Sequence, residues 1–181
     1  MKRGLFVSIL VLIVGGFFTS FGVADDTLVE FKGGIAVIPV SSAAGVQNAD
    51  GTFPNVNRNV VRGVNPPGQI WTISDLNAKV KSDGSVTVDG RGLLLAGGNG
   101  LGTNAGASVF ATLICEATAP FTLHNTGLVG VPLQANGDFR IDDVLAPPPP
   151  AVCASPVLLI RNVTNQAWFA AGIRKTDTSG N

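Results

Sequence analysis

The chain has 181 residues, with twelve basic and twelve acidic side chains and one histidine. That balance leaves no basic footprint for nucleic acid. With 45% hydrophobic and only 13% charged residues, it is also not a disordered polyelectrolyte.

The first stretch, "MKRGLFVSILVLIVGGFFTSFGVADD", reads as an export signal. Lys2 and Arg3 form a positive start, an apolar run extends from Leu5 to about Phe21, and Val23-Ala24 precede two acids. Small residues at the last and third-last places suit a signal peptidase, so cleavage is expected after Ala24. A retained membrane anchor is the alternative. It is disfavoured by the short run and by Asp25–Asp26 in place of a basic stop-transfer cluster. Without Lys2 and Arg3 the mature chain has ten basic and twelve acidic residues, a net charge of about −2. That does not suit an anionic membrane surface, and no stable membrane insertion is expected after cleavage. The mature length suits one domain, and the expected location is secreted or periplasmic.

Residues 25–57 form an N-terminal segment with one or two strands: "VEFKGGIAVIPV" reads as two short strands broken at Gly33–Gly34. "SSAAGVQNADGTFPNVN" reads as loop. The body follows over 58–175. Asn59–Val64 carries a β signal, ended by the turn Asn65-Pro66-Pro67-Gly68. Trp71–Val80 predicts a strand whose apolar parity shifts at Ser74–Asp75, a bulge or a change of face. Asp83–Gly84 predicts a hairpin turn, and Val86–Leu95 the next strand, with Gly90 and Gly92 marking a kink or a close backbone approach. Val109–Cys115 alternates as a strand. "PFTLHNTGLVGVPLQ" adds one or two more, and Ala135-Asn136-Gly137-Asp138 reads as the turn of the clearest hairpin. Pro147–Pro150 cannot join a central ladder. "SPVLLIRNV" and "QAWFAAGI" pair around an Asn162–Gln166 turn, and a tail over 176–181 is expected to fray. Short strands between turn signals predict an all-β fold, an antiparallel β-sandwich (Ig-like or jelly-roll-like) of about eight to ten strands.

Chemical candidates are few. Gly100-Leu101-Gly102-Thr103-Asn104-Ala105 matches the G-x-G-x-x-A of a dinucleotide turn. The segment after it has a strand period rather than a helix, Glu116 is too close to bind a ribose, and no Lys precedes Thr103 as a Walker loop requires. A structural loop is therefore expected, and no cofactor. His124 would need a nucleophile and an orienting acid to act as a base, and no serine sits in a nucleophile-elbow pattern. Asp138, Asp142 and Asp143, with Asn136 nearby, could hold calcium, but turn chemistry explains Asn136 and Asp138 without a metal. Trp71 and Trp168 lie in apolar strands and are expected in the core. Asn162-Val163-Thr164 fits a glycosylation acceptor. Cys115 and Cys153 are the only cysteines. In an exported chain they predict one structural disulfide, with Cα atoms about 5.5–6 Å apart. A reactive or metal-binding thiol is the alternative.

The stretches "VNRNVVRGVNPPGQIW", "VDGRGLLLAGGNGLGTNAG", "GDFRIDDVL" and "SPVLLIRN…WFAAGI" resemble a group of small exported bacterial proteins without an assigned function. The resemblance spans Val56 to Ile173 and implies no catalytic motif. The expectation is an exported, non-catalytic binding or structural protein, at the cell envelope or outside the cell. Its partner would be an unknown protein or small ligand, not nucleic acid. A small exported hydrolase with an unrecognised site is the alternative.

Overall fold

The computed structural model describes residues 26–42, 48–51 and 56–176, so the export signal expected over 1–24 and the end of the tail lie outside the described residues. The described residues contain no helix and thirteen strands, and every strand pairing is antiparallel. The all-β antiparallel expectation is borne out.

Nine strands share one sheet. Its spine is β8 (Ser108–Ile114), β12 (Val157–Asn162), β13 (Trp168–Arg174), β1 (Thr27–Ala36), β5 (Asp75–Lys81), β6 (Ser85–Arg91) and β11 (Phe139–Val144), in that spatial order. Two short strands, β9 (His124–Asn125) and β10 (Val131–Pro132), pair along the free side of β8. Asn125 exchanges backbone hydrogen bonds of 2.9 and 2.8 Å with Ala146, just past β11. The sheet thus returns almost to its own beginning and encloses the core. Two small sheets lie outside it: β2 (Val40–Ser42) with β3 (Val56–Arg58), and β4 (Trp71–Thr72) with β7 (Leu94–Leu95).

Several expectations are corrected by how these strands meet. Gly33–Gly34 does not end the first strand. β1 continues through a bulge there, pairing with β5 before it and with β13 after it, and Gly33 takes φ 90°. Asn59–Val64 is not a strand. Val61 and Val64 exchange hydrogen bonds of 3.0 and 2.9 Å around Arg62 and Gly63, both with positive φ, so "VRGV" is a two-residue turn. Trp71–Val80 and Val86–Leu95 are each split. The parity shift at Ser74–Asp75 is where the chain leaves the small β4–β7 ladder for the main sheet, and Gly92, at φ 65°, makes the matching exit on the return. The Asn136–Gly137 turn forms, with Gly137 N–H donating to Gln134 O at 2.8 Å, but its arms do not make a hairpin. β10 pairs with β8 and β11 with β6. Pro132 has no N–H to give to β11, and that leaves a seam between them.

The turn at Asp83–Gly84 and the pairing of β12 with β13 are as expected. Inside, Leu76, Val80, Val88, Ala111, Leu113, Leu158 and Ile160 are fully buried, and Trp71 stacks on Phe169 with centroids 3.9 Å apart. Gly90 is the close approach that its sequence position suggests. A Cβ there would sit 2.1 Å from the ring of Phe139, its cross-strand partner.

Candidate functional site

The Gly-rich loop turns its backbone donors inward. Leu101, Gly102 and Thr103 donate to Gly98 O, Leu95 O and Gly100 O at 3.2, 2.8 and 3.1 Å. Gly106 and Ala107 donate to the side chain and carbonyl of Asn104, both at 3.0 Å. Asn104 in turn gives its amide to Leu133 O and Gln134 O at 2.9 and 3.0 Å. A phosphate cradle needs such N–H groups free and converging at a helix N-terminus. Here they close a loop that leads into strand β8, so the structural reading holds.

His124 is 4% exposed. Its Nδ1 lies 2.8 Å from Pro147 O, and a carbonyl only accepts, so Nδ1 carries a proton. Its Nε2 is buried without a hydrogen-bond partner among the described residues. The ring therefore ties β9 to the start of the proline run, and neither nitrogen reaches a surface where a substrate could meet it.

The acidic cluster is divided by β11. Asp138 precedes that strand and accepts Gly92 N–H at 3.1 Å and the Asn136 amide at 2.9 Å. Asp143 stands near the other end, about 16 Å along the strand. It accepts Gly127 N–H from across the seam and the N–H of its own neighbour Val144, each at 2.8 Å. Asp142 faces Arg140 at 3.8 Å. No group of three or more metal-ligating side chains forms among the described residues.

The cysteines do pair. Cys115 and Cys153 are joined by a disulfide with Cα atoms 4.7 Å apart, closer than expected but inside the usual range, and both residues are buried. The bridge sits where β8 ends and the proline-rich crossover returns to β12. Ser155 N–H donates to Cys115 O at 3.0 Å beside it. The tryptophans are core residues, as expected, and Trp168 also gives its indole N–H to Asn59 O at 2.9 Å. Asn162 is buried and accepts Thr164 N–H and Asn165 N–H at 2.6 and 3.1 Å, so its side chain closes the β12–β13 turn.

Two arginines matter that the sequence reading passed over. Arg62 reaches from its turn to Ser155 O at 2.5 Å, Ser155 Oγ at 2.7 Å and Ile114 O at 3.2 Å. Arg161 is only 5% exposed. It donates to Gln166 O at 2.8 Å and to Thr112 Oγ1 and Gln166 Oε1 at 3.3 Å, and its guanidinium carbon lies 5.1 Å from the centre of the Phe110 ring. Burial lowers the pKa of both. A charge inside the apolar run "VLLIRNV" was the available sign that the outer face of β12 is covered. The surface also carries an apolar loop tip at the seam, with Val129 88% exposed beside Leu128 and Val144.

Comparison with known protein families, with curated proteins and with solved structures finds no match for this chain.

Proposed function

We propose that the chain is exported and acts without catalysis, in a binding or structural role at the cell envelope or outside the cell. The observation that carries this reading is how the candidate chemical groups are used. His124, Asp138, Asp143, Asn162 and the glycine-loop amides each hold one piece of backbone to another. A buried disulfide suits an oxidising compartment, and the leader-like start suits export. No helix among the described residues is long and apolar enough to cross a membrane.

Expression of the full chain in a bacterial host tests the reading. Material from the periplasm or medium is expected to begin at or near Asp25, to have no free thiol, and to turn over none of a panel of ester, glycoside and peptide substrates. Intact chain starting at Met1 in the membrane fraction would overturn cleavage after Ala24 and point instead to an uncleaved membrane anchor. Turnover that His124→Ala abolishes without unfolding the protein would install the hydrolase alternative.

A further inference from the structure

The chain contains two Asn-Gly steps, Asn99–Gly100 in the glycine loop and Asn136–Gly137 in the turn before β11. Such a step can modify itself. The backbone nitrogen of the glycine attacks Cγ of the asparagine side chain, a new C–N bond forms, and the Cγ–Nδ2 bond breaks. Ammonia leaves with the proton of the attacking amide. Water then opens the resulting five-membered imide at one of its two carbonyls, giving aspartate or isoaspartate. No oxidant or enzyme is needed. The reaction does need an asparagine side chain free to swing onto the next nitrogen, a glycine to keep the path open, and a peptide N–H not held elsewhere.

The two steps differ in each of these requirements. Asn136 is locked at both ends of its amide. Its Nδ2 donates to Asp138 Oδ2 at 2.9 Å and its Oδ1 accepts Asp138 N–H at 3.1 Å. Gly137 N–H is spent on Gln134 O at 2.8 Å, while Gly137 O accepts Leu93 N–H at 3.0 Å. Gly137 also packs closely on the Gly92–Leu93 backbone, since a Cβ on it would lie 2.6 Å from Leu93 N. Asn99 is exposed at the tip of the turn closed by the Leu101–Gly98 hydrogen bond of 3.2 Å. Neither its amide nor the N–H of Gly100 makes a hydrogen bond among the described residues.

We infer that Asn99 is a site of spontaneous, water-dependent conversion to aspartate and isoaspartate, and that the native fold protects Asn136 from the same chemistry. The product adds one negative charge to the loop, and in its isoaspartate form one extra backbone carbon. That carbon enters a turn that must pack closely, since a Cβ on Gly100 would already lie 2.8 Å from Leu95 Cδ1.

The test is ageing of the folded, oxidised protein in mildly alkaline buffer, with peptide mass spectrometry and enzymatic isoaspartate labelling at both positions. Conversion at Asn99 is expected to be at least about tenfold faster than at Asn136, because freeing Asn136 and Gly137 first breaks three hydrogen bonds. In denaturant the two rates are expected to converge, and Asn99→Gln is expected to remove the folded-state signal. Equal rates in the folded protein would overturn the inference. So would an Asn99 that stays intact while the denatured chain converts.

Discussion

The two halves of the main sheet solve the same problem differently. Along β1, β5, β6 and β11 one face packs inward and the other meets water. Its outward side chains form cross-strand ion pairs: Glu30 with Lys79 at 3.8 Å and Lys175 at 2.8 Å, Asp26 with Lys81 at 3.0 Å, Asp89 with Arg140 at 2.7 Å. Along β8 and β12 both faces are buried. Ala111 pairs with Ile160 on the inner face, and Thr112 with Leu159 on the outer face, yet all four are fully buried. Segments without regular structure are fastened across this half of the sheet. Residues around Asn59–Pro67 lie over this region, held by Trp168 N–H to Asn65 O at 3.0 Å, Trp168 Nε1 to Asn59 O at 2.9 Å and the reach of Arg62 to Ser155. A sheet can therefore be half solvated and half sandwiched within one set of strands. The sandwiched half depends on its loops for stability.

The largest expected effect tests that dependence. Leu159→Ala removes an outward side chain that the loops bury, and is expected to cost about 2–5 kcal/mol. Arg140→Ala removes an outward side chain on the solvated half and is expected to cost about 0–1 kcal/mol, since exposed ion pairs gain little over water. Chemical denaturation of both variants decides it. Similar losses would mean that the cover over β12 contributes no more than solvent does.

The disulfide comes next. It ties the end of β8 to the crossover that returns as β12, so it belongs to the sandwiched half. Replacing both cysteines with serine is expected to lower stability by roughly 2–4 kcal/mol. Any binding activity is expected to survive in the folded fraction. A thiol titration of unreduced, unfolded protein checks the bond itself. Two free thiols, or an unchanged melting temperature, would refute the structural role.

The same contrast explains what was legible in the sequence. The alternation of Leu76, Ala78 and Val80 with polar neighbours, the Asp83–Gly84 turn and Val86–Val88 predict β5 and β6 well, because one face there is wet. The cysteine pair was legible because the chain holds only two. "VLLIRN" was legible as a strand, but its double burial was not, because the cover lies about a hundred residues earlier in the chain. "NVVRGV" looked like a strand by composition alone. Its valines instead flank a turn whose Arg62–Gly63 backbone needs positive φ, and only the long-range reach of Arg62 explains an arginine at that position. The hairpin expected at Asn136–Gly137 failed because local turn chemistry says nothing about which strands its arms will join. The chemical candidates were found by residue type, whereas their roles are set by partners distant in sequence, such as Pro147 for His124 and Gly92 for Asp138.

Arg62 gives a smaller, sharper test of the cover. Arg62→Met keeps the aliphatic stem but removes the donors to Ser155 and Ile114, and is expected to cost about 1–3 kcal/mol. Hydrogen exchange is expected to rise at the Ser155 amide and along β8 and β12, while β5 and β6 stay protected. A uniform rise over all strands would mean that Arg62 supports the whole domain and not the sandwiched half.

The smallest expected effect is acid dependence, and each half supplies one carboxylate. Asp83, in the β5–β6 turn, is held below its ordinary 3.8 by the backbone N–H of Ser85, at 2.8 Å, and then by the Ser85 hydroxyl. Glu116, next to the disulfide, is held below its ordinary 4.5 by the backbone N–H of Thr122, at 3.2 Å, and then by the Thr122 hydroxyl, with His124 a minor contributor. In both, the folded value lies below the unfolded one. Each therefore contributes stability that is fully present above its unfolded value and is lost as pH falls through the folded value. Glu116→Gln is expected to be less stable than the parent at neutral pH. The gap should begin to close as the pH drops below about 4.5 and vanish in stronger acid. Asp83→Asn is expected to behave in the same way from a lower starting pH. Both carboxylates are exposed to water, so the gaps should be smaller than for Arg62→Met. Denaturant midpoints measured from neutral pH into acid give the answer. A Glu116→Gln gap that stays constant over that range would show that the contribution of the hydrogen bond to Thr122 does not depend on the charge of Glu116.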